Sequence, residues 1–470
     1  MSGKSIMKII NKTKGMIDKF SGMTRKMMRK KNNVPFDGMQ KYMTVGEYNV
    51  GAPEGTPHGK EYKLIVYKDT DNVLHQALRS VNASDLAPAY VRKFDKRLNR
   101  YTAFVNKRTG RRYIVEDQLD QLVDYVKKHS RKGYNSINIG VITDTHYKDA
   151  DSVDFYGHNG LRHVKEFNYL EDKDILDLKA HLGDWMDGSD PGLVGEAELI
   201  SLSRTFRSKK TNFAVIKGNH DENDKFDEHH DLRASFPENE FEDIMWPSMY
   251  AQDGIHYITR KHGVAYFDKD DVRIITVNTS DLPYELDEQG KKKYDTKLSL
   301  AIREDQMQEI IEILENSNGK TIIFMSHANP ITRKGTNALK FNGRSLHELM
   351  VAFNQHEKGY LNSRDVPPEF TLANSFDFTK IKNAKIVAYF CGHRHTEDQY
   401  RINGIQYIFF NCSALMGPNH ALTTQYNKRW NRQMDHANEA AGYIVNVDIK
   451  RHLLQVFGYG AASKRRFYRI

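Results

Sequence analysis

Five short polar motifs, each closing an apolar run, constrain the fold of this chain more than any other feature. Each run is short and ends in a turn, which is the pattern of a buried parallel strand. In an open α/β sheet, ligands bind beyond the carboxyl ends of the strands. We therefore expect the five motifs to meet at one rim of the fold. In order they are Asp144-Thr145-His146, Gly183-Asp184, Gly218-Asn219-His220-Asp221, Ser326-His327 and Gly392-His393-Arg394-His395.

The side chains of these motifs are the donors that transition metals prefer. Mixed sets of imidazoles with carboxylate or amide oxygens suit manganese, iron, zinc or nickel better than magnesium or calcium. Two such ions about 3.5–4 Å apart can clamp a phosphoryl group and acidify a shared water molecule. The series therefore predicts two divalent transition-metal ions, with manganese favoured, and phosphoester hydrolysis by a metal-bridging hydroxide. The pair His220-Asp221 is suited to protonating the leaving oxygen.

Each motif taken alone has a simpler interpretation. Asp-x-His or Gly-Asp after a strand is commonly just a turn, because these side chains bond to nearby backbone. His327 alone could be a half-buried structural histidine, and Gly-His-Arg-His a polar loop. His181 lies within an apolar run, so we expect it to be packed rather than to bind metal. The metal-site interpretation is favoured by the conjunction of five motifs, each at a strand end.

The order Asp-x-His, Gly-Asp, Gly-Asn-His-Asp, lone His and Gly-His-x-His resembles the signature of calcineurin-like metallophosphoesterases, over residues 134–470. This resemblance implies a four-layer α/β/β/α sandwich. It also implies that His220 is the catalytic histidine and that Asp221 orients it. The implied ligands of the first ion are Asp144, His146, Asp184 and His395, and those of the second are Asp184, Asn219, His327 and His393, with Asp184 bridging.

Two further details refine the resemblance. Purple acid phosphatases of this superfamily carry a tyrosine ligand three residues after the Gly-Asp aspartate. Asp187 occupies that position here, which predicts that no iron–tyrosinate site forms. The C-terminal stretch 456–461, followed by Arg465-Arg466-Phe467, resembles the tail of family members carried by phages and prophages.

Composition limits the compartment. The 470 residues predict two or three domains, and 39% hydrophobic residues with a mean hydropathy of −0.68 are typical of a soluble protein. No apolar stretch approaches the ~20 residues of a membrane-spanning helix, and no signal peptide is evident. The two cysteines, Cys391 and Cys412, are expected to be buried thiols. We therefore expect a cytoplasmic or phage-virion location.

The net charge of +9 is concentrated at the N-terminus. Residues 1–32 hold ten basic side chains and one acidic side chain, so residues 33–470 are close to neutral. This weakens a DNA-processing role, because nucleases usually surround the active site with basic groups. Apolar residues recur at helical spacing in 1–32, which predicts a basic amphipathic arm. We expect it to dock on a protein partner or assembly, while nucleic acid, an anionic membrane surface and a solvated terminus stay open alternatives.

Three regions are expected along the chain. After the arm, residues 33–132 are interpreted as a small α/β module of unknown role. It begins with a linker or irregular segment at 33–57, and hairpins are expected at 60–78 and 100–115, followed by a helix at 117–129. Residues 133–470 form the metallophosphoesterase domain, with an insertion at 331–383 that we expect near the active site.

The sequence favours a phosphodiesterase, possibly associated with a virion, that acts on a polymeric or cell-surface phosphoester such as teichoic acid. A nuclease acting on DNA or RNA is the first alternative. The second alternative is a structural virion protein with a vestigial phosphoesterase domain. Against it, every implied ligand position carries a residue that can bind metal. The substrate, the native metal, the oligomeric state and a host or phage origin stay open.

Overall fold

The computed structural model describes residues 115–130, 133–148, 157–208, 210–224, 235–363, 365–415, 432 and 436–470. It also describes the backbone of five strands between residues 43 and 106. The predicted arm at 1–32 lies outside the described residues, so its helical and docking roles stay predictions.

The five N-terminal strands form one antiparallel sheet in chain order. They are β1 (Met43–Asn49), β2 (Glu61–Lys68), β3 (Leu74–Ser80), β4 (Tyr90–Asp95) and β5 (Arg100–Asn106). The expected hairpin of β2 and β3 is confirmed. The prediction that 33–57 is irregular is wrong at β1, which pairs with β2 despite the surrounding glycines and prolines. β5 pairs with β4, whereas most of its expected partner at 111–115 lies outside the described residues.

The remaining strands build two further sheets and one hairpin. They are β6 (Ser136–Ile142), β7 (Leu178–His181), β8 (Asn212–Val215), β9 (Ile255–His256), β10 (Ala265–Lys269), β11 (Val272–Thr276), β12 (Thr321–Ser326), β13 (Lys358–Asn362), β14 (Ala373–Asp377), β15 (Lys385–Cys391), β16 (Asp398–Ile402), β17 (Ile405–Phe409), β18 (Ala441–Asp448), β19 (Leu453–Gly460) and β20 (Arg465–Arg469). The α-helices are α1 (Glu116–His129), α2 (Gly160–Phe167), α3 (Gly192–Phe206), α4 (Glu240–Tyr250), α5 (Glu304–Glu315) and α6 (Gly343–Gln355), with 3-10 turns at Asn168–Lys173, Pro368–Phe370 and Ile449–Arg451.

Both large sheets are mixed. The six-stranded sheet has the order β20-β19-β18-β6-β7-β8, and its strands β6, β7 and β8 are parallel. The seven-stranded sheet has the order β16-β17-β15-β12-β11-β10-β9, and β11, β12, β15 and β17 are parallel. All the parallel strands that precede the five motifs are thus confirmed, but they belong to two different sheets.

Helices flank the pair of sheets, as strand β12 shows. Its alternate residues Ile323 and Met325 join the cluster that packs between the sheets and around β6. The intervening Ile322 and Phe324 join the cluster formed with α5 and α6. Because side chains alternate across a strand, the seven-stranded sheet is buried on both faces. The chain is therefore an α/β fold with two mixed sheets between helices.

Helix α1 packs on the six-stranded sheet rather than within the N-terminal module. Its buried residues Leu119, Leu122, Val123 and Val126 belong to the same core cluster as β19. Gln118 Oε1 also accepts a hydrogen bond from the backbone N–H of Gly460, at 2.9 Å. The division at residue 133 stays a prediction, and this packing favours a boundary before α1.

Part of the 331–383 insertion covers an outer helix. The hairpin of β13 and β14 packs against α5, where Asn374 Nδ2 lies 3.3 Å from the carbonyl oxygen of Glu304. An effect of the insertion on substrate choice stays a prediction. None of the helices in the described ranges is long and apolar enough to cross a membrane.

Candidate metal centre

The five motifs meet at one rim, which both sheets form together. Asp144 and His146 follow β6, Asp184 follows β7, and the turn carrying Asn219 follows β8. The other donors come from the second sheet, with His327 after β12 and His393 and His395 after β15. The carboxyl ends of parallel strands from two sheets thus supply one site.

The first donor cluster contains Asp144, His146, Asp184 and His395, whose ligand atoms all lie within 4.8 Å of one another. The Nε2 atoms of His146 and His395 are 3.0 Å apart. His395 Nε2 lies 3.1 Å from Asp144 Oδ1, and His146 Nε2 lies 3.5 Å from Asp184 Oδ2. Two imidazole nitrogens and two carboxylate groups gathered in this way are a donor set that suits a divalent transition metal.

The second donor cluster contains Asp184, His327 and His393, again within 4.8 Å of one another. Asn219 joins it, because its Oδ1 lies 2.9 Å from both His327 Nε2 and His393 Nδ1. Asp184 Oδ2 lies 3.2 Å from His327 Nε2. Asp184 therefore belongs to both clusters, which is the arrangement expected of a carboxylate between two ions.

The turns hold these side chains in an unusual backbone conformation. Residues other than glycine rarely adopt a positive φ, and doing so costs of order 1–3 kcal/mol each. Such conformations persist only where the surrounding structure enforces them, and they collect at functional sites. Five of the predicted ligands have this conformation: Asp144 (φ 52°), His146 (φ 41°), Asp184 (φ 53°), His393 (φ 63°) and His395 (φ 50°).

Two glycines allow the turns to approach each other. A Cβ at Gly218 would collide with the backbone nitrogen and Oδ1 of Asp184. A Cβ at Gly392 would collide with Thr143 Oγ1 and Asp144 Oδ2. Both positions need glycine because the backbone of each motif packs directly against a turn that carries a ligand carboxylate.

Hydrogen bonds orient the ligand groups. His327 Nδ1 lies 2.9 Å from the carbonyl oxygen of Leu182, which directs Nε2 toward the second cluster. Thr143 Oγ1 donates to Asp144 Oδ2 at 2.6 Å, and the His393 amide donates to the same atom at 3.1 Å. These hydrogen bonds orient the donor atoms of His327 and Asp144.

His181 is packed rather than a ligand, as expected. Its ring stacks on Trp185 with centroids 3.6 Å apart, and its Nε2 lies 3.1 Å from Thr145 Oγ1. Burial lowers the pKa of His181 to about 3, so the ring is neutral.

The electrostatics of the site fit bound cations. Burial alone would raise the pKa of Asp144, but its hydrogen bond with His395 and nearby histidine charge lower it to about 2. Burial lowers the pKa of His393 to about 3, so this ring offers a lone pair. Burial also opposes charge on His327, but the Asp184 carboxylate outweighs it and raises the pKa of His327 to about 9. Asp144 and Asp184 are thus ionised, and their charge favours cations among the donor atoms.

The Asp221 carboxyl group lies between the turns after β7 and β8. This buried group accepts hydrogen bonds from backbone N–H groups of the two turns, which offset part of the effect of burial. Burial, together with the nearby Asp184 charge, still raises the pKa of Asp221 to about 7. The donors are Asp184 N at 3.0 Å, Trp185 N at 2.8 Å, Met186 N at 3.4 Å and Gly218 N at 2.7 Å. Asp221 therefore ties the turn after β7 to the turn after β8, and its expected role of orienting His220 stays a prediction.

His220 is oriented by Asp187, the residue at the position where purple acid phosphatases carry a tyrosine ligand. His220 Nδ1 lies 2.7 Å from the carbonyl oxygen of Asp187. The Asp187 carboxylate also lies in a group with His146 and His220, whose ligand atoms are within 4.8 Å of one another. In the sequence, Asp187 could be recognised only by its spacing from the Gly-Asp motif, because His220 lies 33 positions further along the chain.

The fold is similar to those of several solved structures. A dimetal phosphatase from Danio rerio is 12% identical, with a TM-score of 0.44, over 70% of this chain and 98% of that one. Purple acid phosphatase PPD1 from yellow lupin seeds is 13% identical, with a TM-score of 0.39, over 90% of this chain and 75% of that one. GAP50, the anchor in the inner membrane complex of Plasmodium, is 8% identical, with a TM-score of 0.37, over 71% and 88%. At these identities and scores, the likenesses carry no inference about substrate.

The sequence comparisons give the family. No curated protein matches the chain. The family model for calcineurin-like phosphoesterases matches residues 137–397, a span that contains every donor of both clusters. Since this span is more than half of the chain, the protein belongs to the calcineurin-like phosphoesterases and is a metal-dependent phosphoric ester hydrolase with a dinuclear site.

Proposed function

We propose that this enzyme is a manganese-dependent phosphodiesterase that acts on a polymeric or cell-surface phosphoester. The diesterase assignment rests on one observation: the cationic side chains next to the metal donors in sequence form ion pairs with carboxylates. A phosphomonoester carries close to two negative charges at neutral pH, because its second pKa is about 6. A diester carries one negative charge and needs fewer cationic partners.

Two basic residues flank the donor clusters in sequence, and both pair with acids. Arg394, between His393 and His395, places Nη1 3.1 Å from Asp398 Oδ2. Lys148, two residues after His146, places Nζ 2.9 Å from Asp190 Oδ1. Lys148 is thus balanced by Asp190. Arg394 shares the Asp398 carboxylate with Arg333. Both side chains are already engaged by carboxylates, which leaves them less suited to a dianionic substrate. A substrate with a single negative charge matches the site better.

The proposed roles follow the geometry. Asp144, His146, Asp184 and His395 would hold one ion, and Asp184, Asn219, His327 and His393 would hold the other. When bound, the two ions supply Lewis acidity toward the phosphoryl oxygens and lower the pKa of a bound water.

His220 is proposed to give a proton to the leaving oxygen. Its ring lies edge-on to His146, with centroids 4.7 Å apart, so it stands beside the first cluster. The Asp187 carbonyl oxygen accepts a hydrogen bond from Nδ1, and Nε2 is the atom that we propose for proton transfer. A leaving alkoxide is a strong base, and its protonation by a positioned histidine contributes typically 10²–10⁴-fold in rate.

We also propose that the protein associates with a phage virion and that residues 1–32 dock on a protein partner. Their support is the sequence alone: the basic, apolar-striped N-terminus and the C-terminal stretch 456–467. Neither bears on the chemistry of the metal centre.

The test compares a diester with the matching monoester. Purified full-length protein is given manganese and assayed on bis-p-nitrophenyl phosphate and on p-nitrophenyl phosphate, with His220→Ala as the control for contaminating phosphatases. We expect hydrolysis of the diester, with a larger kcat/KM than for the monoester. Hydrolysis of the monoester with the diester left intact would contradict the diesterase assignment.

The same preparation can separate polymer classes. A glycerol-phosphate wall polymer and single-stranded DNA and RNA are offered at equal phosphate concentrations. Release of low-molecular-weight phosphoesters from the wall polymer alone supports the proposal. Preferential cleavage of DNA or RNA would replace it with the nuclease alternative.

A further inference from the structure

Glu397 connects the last metal-binding turn to the C-terminal part of the chain. It lies two residues after His395 and is 7% exposed. Its Oε1 accepts hydrogen bonds from the Tyr443 hydroxyl at 3.0 Å and from the Ser463 amide at 2.8 Å. Its other oxygen accepts from the Ser463 hydroxyl. The turn that carries His395 is thus held from outside the span that matches the family.

The same tyrosine hydroxyl reaches the first metal-binding turn by another route. The Asn411 amide donates to the Tyr443 hydroxyl oxygen at 2.9 Å. Just beyond Asn411, the amides of residues 413 and 414 donate to the carbonyl oxygens of Thr143 and Asp144, at 2.8 and 2.9 Å. One hydroxyl therefore joins the segment that holds Asp144 to the carboxylate that holds the His395 turn.

Tyr443 is well placed to act as a fixed point. It lies on β18, opposite Val141 of β6, and its side chain is fully buried. Its ring packs edge-on against Phe410, with centroids 4.9 Å apart. Because the hydroxyl both donates and accepts, its removal would leave Glu397 and the Asn411 amide each short of a partner in a buried place.

We propose that Tyr443 is a positioning residue for the first metal ion, acting through Glu397 and through the segment that begins at Asn411. This inference rests on the proposed dinuclear centre. Three of the four donors of the first cluster lie on the two turns that Tyr443 connects, namely Asp144, His146 and His395. His393 alone of the second cluster's four donors lies on them. Loss of the hydroxyl therefore weakens the first ion more than the second.

The test uses a substitution that removes only the hydroxyl. Manganese is titrated calorimetrically into metal-stripped full-length protein, and wild type is expected to bind two ions. Tyr443→Phe is then placed in two backgrounds: His327→Ala, which keeps the first cluster complete, and His395→Ala, which keeps the second. We expect the remaining ion to bind about 10- to 100-fold more weakly in the His327→Ala background, the usual loss for a partner behind a ligand. Little change is expected in the His395→Ala background.

Tyr407→Phe is the matched control. Tyr407 is an equally buried tyrosine on β17, and its hydroxyl oxygen lies 2.7 Å from His347 Nδ1, away from the metal turns. It should leave both affinities unchanged, so general loosening of a sheet is distinguished from loss of positioning.

The outcomes separate this inference from the proposed function. Wild-type protein that fails to bind two ions would contradict the dinuclear centre before any Tyr443 comparison. Two ions in wild type, with equal weakening in both backgrounds or with no weakening in either, would overturn the positioning role alone.

Discussion

His220 Nδ1 lies 2.7 Å from the backbone carbonyl oxygen of Asp187, on the turn after β7. A ring whose Nδ1 proton is held by a carbonyl presents Nε2 for exchange with a substrate. The contact comes from the backbone, so it does not depend on the charge of a neighbouring side chain. The proposed proton donor is thus oriented by a backbone group while it lies beside His146 of the first cluster.

The first prediction concerns His220. We expect His220→Ala to keep both metal ions but to lose about 10²–10⁴-fold in kcat on a diester, because proton transfer is lost while both donor clusters stay complete. Elemental analysis and steady-state rates on the same preparation measure both effects. A variant that loses an ion would show that His220 also acts as a ligand.

The second prediction concerns Asp184, whose Oδ2 lies 3.5 Å from His146 Nε2 and 3.2 Å from His327 Nε2. Asp184→Asn has the same shape but removes the charge that both clusters share. We expect it to weaken both ions together, by more than the roughly 10- to 100-fold lost on removing a partner behind a ligand. His327→Ala is the comparison, since it should weaken one ion only. Loss of a single ion in Asp184→Asn would show that this carboxylate does not bridge.

The third prediction concerns Asp221, whose carboxyl group accepts hydrogen bonds from backbone N–H groups of the turns after β7 and β8. Asp221→Asn directs an amide N–H₂ toward some of these donors. We expect the free energy of unfolding to fall by about 1–3 kcal/mol, measured by urea denaturation. An unchanged stability with a reduced rate would instead support the role of orienting His220.

The sequence predicts the metal donors well, because the information is local. Each donor stands directly after an apolar run, and buried strands determine where their ends lie. His327 and His393 could therefore be placed at the rim without knowing that they belong to a different sheet from Asp144. The division of the strands between two sheets depends on long-range pairing, such as β18 beside β6, which no short pattern contains.

What the sequence could not give are contacts between distant segments. Asp187 meets His220 because two turns converge, and Tyr443 meets Glu397 because the last strands fold back beside β6. Asp221 is interpreted from its adjacency to His220, but its hydrogen bonds to the turn after β7 join segments that are distant in the chain. The amphipathic pattern of α1 was readable, but its partner β19 lies more than 300 residues further along the chain.

The fourth prediction concerns pH and His347, which is buried on α6 with Nδ1 2.7 Å from the Tyr407 hydroxyl oxygen. Burial, with a smaller effect of Arg344, lowers the pKa of His347 to about 4. In the unfolded chain the pKa is about 6.5. Between about pH 4 and pH 6.5, His347 is therefore protonated in the unfolded state but neutral in the folded state. Stability is therefore lost as the pH falls from about 6.5 toward 4, by no more than about 3–4 kcal/mol for this residue.

His347→Leu removes this contribution. We expect the difference in unfolding free energy between about pH 7 and about pH 5 to be smaller in the variant than in wild type. Urea denaturation at both pH values gives the comparison. An equal or larger difference in the variant would show that His347 is protonated in the folded protein.

The metal content of purified full-length protein tests the dinuclear centre. It is determined by elemental analysis after equilibration with manganese and removal of free metal. Two donor clusters that share Asp184 predict two divalent ions per chain, falling toward one in His327→Ala. A well-folded wild-type protein that retains one ion or none would contradict the dinuclear centre.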